Sequence, residues 1–245
     1  MQKETIIEAF LNGITKFPQL EPSEIWKNIH VSHVNNISKI DNYEVISKIP
    51  YTKQSWEKLS CHAFEEIIAD IANPLLAEYG IMIVRQKELS ILLNQNRILN
   101  QEPDIEWLRK QVKLNIFDLY LAIQNDKDYT IYGCVQSKLS INDKGTQERE
   151  ESIFAMKKYF MSVAIVLDGN NLKNPIIKNL VNGCEFDNQI NGWHGVYVLS
   201  NAEIEIDRIH SIDVSMGKLV KDVIEGAKFW TEQRQWFNPT WKPQR

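Results

Sequence analysis

Cysteine is scarce in this chain, and the cysteines present are far apart in the sequence. Cys61, Cys134 and Cys184 form no C-x-x-C pair, and the five histidines are scattered. This spacing argues against both a disulfide framework and a zinc site. Metal-dependent chemistry in this protein should therefore use carboxylates and a hard cation such as Mg²⁺.

Long apolar runs and the common nucleotide-binding motifs are also missing. No run approaches the roughly 18 apolar residues of a membrane-spanning helix. Residues 2–5 are polar or charged, and the N-terminus lacks the apolar centre of a signal peptide. The patterns G-x-x-x-x-G-K-[ST], G-x-G-x-x-G and G-x-S-x-G do not occur. We expect a cytoplasmic protein with no membrane partner and no nucleotide cofactor.

An excess of positive charge is missing too. The formal net charge of the chain is −4, whereas non-specific DNA binding depends on Lys and Arg. Local charge matters more than the total, and residues 218–245 carry six basic side chains against three acidic ones. The same region contains Trp230, Trp236, Phe237 and Trp241, for which closing a core is favoured over contacting DNA.

The pattern of apolar residues predicts an α/β fold. Two segments rich in β-formers, 115–123 and 129–138, are joined by a polar turn and should form a β-hairpin. Helical and strand patterns surround this hairpin, with helices at about 6–14, 55–73, 84–112, 148–160 and 217–234 and strands at 163–167 and 195–199. We therefore expect a mixed central β-sheet flanked by helices. Residues 1–54 should form an N-terminal helical segment and 55–245 the catalytic domain, within one compact unit.

Three polar residues of the predicted hairpin carry the clearest functional signal. Residues two apart in a strand face the same side, so Gln136 and Lys138 should project together, and Asp118 on the paired strand can reach them. A carboxylate that holds Mg²⁺, a carbonyl-type oxygen from Gln136 and the ammonium group of Lys138 at one place suit metal-assisted hydrolysis of a phosphodiester. The plainer alternative is that Lys138 merely ends an edge strand and Asp118 is an exposed strand acid.

The order Asp118, spacer, Gln136-x-Lys138 on a hairpin followed by a helix resembles the PD-(D/E)XK nuclease superfamily, particularly type II restriction endonucleases. The resemblance implies a restriction-endonuclease-like core, Mg²⁺ as cofactor, double-stranded DNA as substrate and a homodimer. Two departures are visible. Phe117 precedes Asp118 where the family often has Pro, while the literal Pro-Asp pair, ending in Asp104, lies too far upstream. Gln136 replaces the usual strand acid.

A second acid is implied by the restriction enzymes that cut within a CCGG-type core. In that group the missing strand acid resembles one moved to the following helix, about a dozen residues after the Lys. Glu150 and Glu151 lie at that distance from Lys138. Helical rotation of 100° per residue places Glu150 nearer the apolar face of the helix, so we predict that Glu150, with Asp118, holds the metal.

Two further features have both a functional and a plainer interpretation. Glu65 resembles an early-helix Glu of the superfamily that approaches the metal, but it could equally belong to a solvated pair with Glu66. Asn142, Asp143 and Lys144 occupy the place of an Arg-x-Arg-like triplet that reads guanines in the CCGG group. We expect these three residues to contact DNA, although the stretch could also be a simple polar turn.

The sequence is compatible with three functions. The first is a homodimeric, sequence-specific endonuclease, whose two-fold symmetry would match a palindromic site. The second is a repair or structure-specific nuclease with the same core. The third is a catalytically silent DNA-binding module, which the missing strand acid would explain. His194 has no evident acid or metal partner in the sequence, so we predict a structural role for it.

Overall fold

The predicted hairpin lies near the middle of the fold. β2 (Leu119–Asn125) and β3 (Asp128–Ser140) pair antiparallel, with Asn125 opposite Asp128, so only two residues form the turn. Asp126 in this turn has a φ of 54°, a left-handed conformation that Asp tolerates better than most residues. The hairpin is therefore encoded locally, as the sequence predicts.

A seven-stranded mixed sheet is built around this hairpin. The structure is a computed structural model and describes residues 2–38, 44–140, 145–184 and 190–244. The strand order is β1-β2-β3-β4-β5-β7-β6. β3, β4, β5 and β7 run parallel, while the pairs at the two ends are antiparallel. The other strands are β1 (Ile81–Arg85), β4 (Met161–Asp168), β5 (Gly195–Leu199), β6 (Glu205–Ile206) and β7 (Ile209–Ile212). The predicted mixed α/β architecture is confirmed.

Eight α-helices surround the sheet in the described part of the chain. They are α1 (Lys3–Lys16), α2 (Pro22–Ser38), α3 (Glu44–Leu76), α4 (Gln86–Asn94), α5 (Glu102–Leu114), α6 (Gly145–Lys157), α7 (Pro175–Asn182) and α8 (Gly217–Gln233). Pro103 lies in the first turn of α5, where a backbone N–H would have no helical partner. None of these described helices has the length and apolar character needed to cross a membrane.

The two faces of the sheet are covered by different helices. Leu119 and Leu121 belong to the same buried cluster as Phe64 of α3, whereas Tyr120 belongs to a second cluster with Trp107 of α5. This alternation follows the two-residue period of a strand. β4 is buried along nearly its whole length, as expected of a central parallel strand covered on both sides.

The N-terminal helices pack into the main core. Phe10 of α1 and Trp26 of α2 belong to the same cluster as the inner residues of the sheet. The boundary proposed after residue 54 falls inside α3, which is continuous from Glu44 to Leu76. The proposed division therefore runs through one helix and one shared core.

The edge strand β1 begins three residues before the region 84–112, for which the sequence predicts only helices, and overlaps its first two residues. α4 and α5 confirm the helical part, but β1 is missed. Asn73 of α3 explains how this strand is held, because its Oδ1 accepts a hydrogen bond from the Ile83 N–H (2.7 Å) and its Nδ2 donates to the Ile83 carbonyl (3.1 Å). The predicted helix end near Asn73 is also early by about one turn, since α3 continues to Leu76.

The C-terminal aromatic residues close the core. Phe237 is fully buried and stacks on Trp241 with 4.4 Å between ring centroids, and Trp230 is buried as well. Trp236 differs from them, since 63% of it is exposed. The interpretation that these residues close a core is confirmed for Phe237 and Trp230.

Candidate active site

Asp118 is held at the entrance to the hairpin, one residue before β2. Its N–H donates to the Val135 carbonyl (3.1 Å), and its carbonyl accepts from the Gln86 N–H (3.2 Å). Its carboxylate Oδ2 accepts a hydrogen bond from the Ser137 N–H at 2.7 Å. Backbone and side chain are thus both fixed by neighbouring segments, which orients the carboxylate towards the end of β3.

Lys138 lies beside Asp118 near the end of β3. Burial raises the pKa of the Asp118 carboxyl group, while the positive charge of Lys138 and the hydrogen bond from Ser137 lower it. The Lys138 Nζ also lies 3.6 Å from Oε1 of Glu148. The structure therefore brings Asp118 and Lys138 together, and it adds a second carboxylate that the sequence interpretation did not select.

Glu148 occupies the place on α6 that the sequence interpretation assigned to Glu150. Glu150 is exposed, whereas Glu148 is half-buried and contacts Lys138. The cause is the rotation of α6, which buries Ser152 and Ala155. Glu148 precedes these residues by four and seven positions and so shares their face. Glu148 therefore replaces Glu150 as the second acid of the candidate site.

Gln136 has a different environment from the predicted one. Its side chain does lie on the same side of β3 as Lys138, since both contact Glu148. Its amide, however, is engaged with protein groups. Oε1 accepts from the Trp193 indole N–H (2.8 Å), and Nε2 donates to the main-chain carbonyl of Glu148 (3.1 Å). The geometry does not offer Gln136 as a metal-binding oxygen.

Glu65 of α3 approaches the site from the opposite direction. Burial raises the pKa of its carboxyl group, and the negative charge of Asp118 raises it further. His62 opposes this shift, with its Nδ1 3.2 Å from Oε2 of Glu65. Glu66 instead pairs with Arg85 at 3.0 Å. The two adjacent glutamates thus have separate partners, and the charge of Asp118 acts on Glu65.

The other predicted residues fall outside this cluster. Asp104, the literal Pro-Asp acid, forms an ion pair with Arg234 at 2.7 Å and takes no part in the arrangement around Asp118. Glu151 lines a groove between α5 and α6. Asn142, Asp143 and Lys144 lie outside the described residues.

The donor set suits a hard divalent cation. Within 2–38, 44–140, 145–184 and 190–244, no cluster of three or more His, Cys, Asp or Glu side chains could hold a metal ion. Mg²⁺ needs less than such a cluster, since it commonly uses one or two carboxylates together with waters and substrate phosphate. Oε2 of Glu148 is buried and, within the described chain, has no hydrogen-bond partner. An unsatisfied oxygen on the carboxylate that contacts Lys138 fits such a cation.

The comparison with known families agrees with this geometry. The model of the family "BsaWI restriction endonuclease type 2" matches residues 97–236, a range that includes Asp118, Lys138 and Glu148. The chain belongs to this family. It is a type II restriction endonuclease, and therefore a site-specific endodeoxyribonuclease.

Two solved structures resemble this endonuclease. The pre-specific restriction endonuclease BsaWI–DNA complex is 40% identical, with a TM-score of 0.79, and the match covers 99% of this chain and 89% of that one. The specific restriction endonuclease AgeI–DNA complex is 16% identical, with a TM-score of 0.59 and coverage of 86% and 79%, and it supports the fold alone. No curated protein matches the chain.

His194 has a structural environment in the endonuclease. Its buried ring accepts a hydrogen bond at Nδ1 from the Ser162 N–H (3.0 Å), so Nε2 carries the proton and donates to the Asn238 carbonyl (3.0 Å). The pKa of His194 is lowered to about 3, mainly by burial and also by the charge of Arg208, against the effect of the Asn238 hydrogen bond. His194 is therefore neutral in the folded protein and joins β4 to the C-terminal segment.

A pH-dependent stability follows from this histidine. Between its unfolded pKa of about 6.5 and its folded pKa of about 3, the unfolded chain binds a proton at His194 that the folded chain does not. The free energy of unfolding should therefore decrease by up to about 1.4 kcal/mol per pH unit as the pH falls, because of this group. Urea unfolding from pH 7.5 to 5 should show a shrinking stability difference between wild type and His194→Gln. A pH dependence for His194→Gln that runs parallel to that of wild type would contradict the assignment.

Proposed function

We propose that this endonuclease cuts both strands of double-stranded DNA at one specific sequence in a Mg²⁺-dependent reaction. Asp118, Glu148 and Lys138 would form the active centre. The observation that carries the proposal is the position of Lys138, which faces the Asp118 carboxylate and lies 3.6 Å from Glu148. Both similar solved structures are described as complexes with DNA, which supports DNA as the ligand.

Asp118 and Glu148 would hold the cation. When bound, Mg²⁺ supplies positive charge at the scissile phosphate and lowers the pKa of a nearby water. The Ser137 N–H holds Oδ2 of Asp118, and Oδ1 would point at the cation. The unpaired Oε2 of Glu148 would supply the second oxygen. This division of hydrogen bonds lets both carboxylates stay fixed while each presents one oxygen.

Lys138 would act on the reacting phosphate itself. Its ammonium group can donate to the attacking water and to a non-bridging phosphate oxygen, where negative charge grows as the water oxygen bonds to phosphorus and the bond to the sugar oxygen breaks. The pairing with Glu148 holds the ammonium group in place before DNA arrives. Orientation of the water and stabilisation of the developing charge are thus both assigned to Lys138.

Glu65 would strengthen cation binding from the side of α3. It lies close enough to Asp118 for the charge of that carboxylate to help raise the pKa of Glu65, after the larger effect of burial. A divalent cation relieves such repulsion between carboxylates, so the presence of Glu65 favours the metal-bound state. We place Glu65 at the edge of the active centre, with the His62 ring beside its carboxylate.

A homodimer would bring two such centres to the two strands. Two-fold symmetry in the protein matches a palindromic sequence, so each subunit cuts one strand. Residues 142–144 remain our predicted base-reading segment, since they directly follow the strand that carries Lys138. Gel filtration with light scattering would measure the assembly.

Digestion of a sequenced plasmid tests the proposed function. We expect discrete fragments with Mg²⁺, no cleavage with EDTA, and specific binding without cleavage when Ca²⁺ replaces Mg²⁺. End-sequencing the fragments would give the recognition site and the cut position. Random fragments would contradict sequence specificity, and equal cleavage in EDTA would contradict the metal requirement.

A further inference from the structure

We propose that Gln136 and Trp193 form a positioning pair that sets the first turn of α6, and with it the carboxylate of Glu148. The inference rests on the proposed role of Glu148 as the second acid. It assigns a function to the residue that stands where the superfamily usually has a metal-binding acid. In this protein Gln136 would orient Glu148, the relocated acid, and would not itself act as a metal-binding acid.

A continuous chain of hydrogen bonds carries the proposal. The Trp193 indole N–H donates to Oε1 of Gln136 at 2.8 Å, and Nε2 of Gln136 donates to the Glu148 carbonyl at 3.1 Å. Gln136 is 1% exposed and Trp193 is 3% exposed. Buried donors and acceptors that lose their partners cost free energy. These two hydrogen bonds therefore restrict where the Glu148 backbone can lie.

The chemistry of the pair explains why Gln136 cannot be exchanged for Glu without loss. An indole N–H only donates, so it must face the amide oxygen, and the amide nitrogen must then face the Glu148 carbonyl. A Glu at position 136 could accept from Trp193, but its second oxygen would meet the carbonyl oxygen of Glu148. Two acceptors at that distance repel each other and would push the first turn of α6 away from Lys138.

Both ends of the pair are themselves anchored. Asn191 donates from Nδ2 to the Trp193 carbonyl at 2.9 Å, and Trp193 packs in the cluster that includes Val196 of β5. The first half of α6 has a separate attachment, since Arg149 donates to the carbonyls of Leu180 (3.1 Å) and Ile190 (2.6 Å). Arg149 should keep α6 attached to the protein when the positioning pair is broken and the turn that carries Glu148 shifts, so the variants below are expected to fold.

Three single variants test the pair by single-turnover cleavage with Mg²⁺. We expect Gln136→Glu and Trp193→Phe each to lower the cleavage rate by about 10–100-fold, the usual cost of losing a group that orients a metal ligand. Trp107→Phe is the matched control, because its buried indole N–H has no hydrogen-bond partner within the described residues. It should cut at nearly the wild-type rate. Specific DNA binding in Ca²⁺ should stay within about threefold of wild type in all three.

A second readout uses the enzyme without metal or DNA. Hydrogen exchange measured by mass spectrometry should be about fivefold faster for the amides of residues 149–152 in Gln136→Glu and Trp193→Phe. These amides are held by the first turn of α6, which the pair is proposed to fix. Trp107→Phe should leave their exchange unchanged. A general loss of stability would instead raise exchange throughout the sheet as well.

Each failure has its own signature. Wild-type or faster cleavage by Gln136→Glu would overturn the proposal and make position 136 a metal-binding site. Equal behaviour of Trp193→Phe and Trp107→Phe in both readouts would also overturn it. Efficient cleavage by Glu148→Gln would instead remove the second acid from the proposed function. If Glu148→Gln is inactive while both pair variants match wild type, only the positioning role fails.

Discussion

Asp118→Asn and Lys138→Ala should each lower the rate of DNA cleavage by about 10³-fold or more. The Asn side chain can still accept from the Ser137 N–H, but it lacks the charge that holds a cation. Loss of Lys138 removes the ammonium group that faces Asp118 and Glu148. Single-turnover cleavage of a short cognate duplex with Mg²⁺ measures both effects without interference from product release.

Asp104→Asn is the matched control for this experiment. Asp104 is also a partly buried acid, and it belongs to the literal Pro-Asp pair, but its partner is Arg234 at 2.7 Å. We expect this variant to cut DNA at close to the wild-type rate, with some loss of thermal stability. Cleavage by Asp118→Asn at a rate similar to that of Asp104→Asn would remove Asp118 from the active centre. DNA binding in Ca²⁺ and melting temperature would show that each variant is folded.

The second large effect is expected at Glu148. Glu148→Gln should reduce cleavage by at least about 100-fold, because it removes the charge of a carboxylate that lies beside Lys138 and has a buried oxygen free for a cation. Glu150→Gln should cut within about twofold of wild type, since that side chain is exposed. In a Mg²⁺ titration under single-turnover conditions, the Mg²⁺ concentration needed for cleavage should change less in Glu150→Gln than in Glu148→Gln.

Glu148→Gln and Glu150→Gln are the same chemical change at two positions of one helix, two residues apart. Each variant is therefore a control for the other. A larger loss in Glu150→Gln would reverse the assignment and restore the rotation of α6 expected from the sequence. Equal and small losses in both variants would mean that α6 supplies no acid to the reaction.

The local part of the site is predictable from the sequence. Lys138 lies on β3 and Asp118 immediately before β2, and a two-residue turn joins these strands, so the hairpin pattern alone brings the two residues close. The mixed sheet follows in the same way from β4 and β5, whose short apolar runs are typical of buried strands. Local pattern and local geometry agree in these elements.

The remaining part depends on contacts between distant segments. The face that α6 turns to the sheet is set by packing, which buries Ser152 and Ala155 and so selects Glu148 over Glu150. The apolar residues of that helix do not form one clear stripe, since Phe154 is about half exposed. Spacing within the helix offered one useful signal, because Glu148 lies four residues before Ser152. The hydrogen-bond partner of Gln136 could not be predicted from the neighbouring sequence, because Trp193 is 57 positions away.

That sequence separation has a consequence for the synthesis of the enzyme. A nascent chain that ends shortly after α6 already contains Asp118, Lys138 and Glu148, but not Trp193, to which the Gln136 amide binds. Contacts between distant segments form after local ones, because closing a long loop costs entropy before the new contact contributes favourable free energy. The ability to cut DNA should therefore arise late, once β5 has joined the sheet. Incomplete chains would then carry the catalytic hairpin without being able to damage the DNA of the cell that makes them.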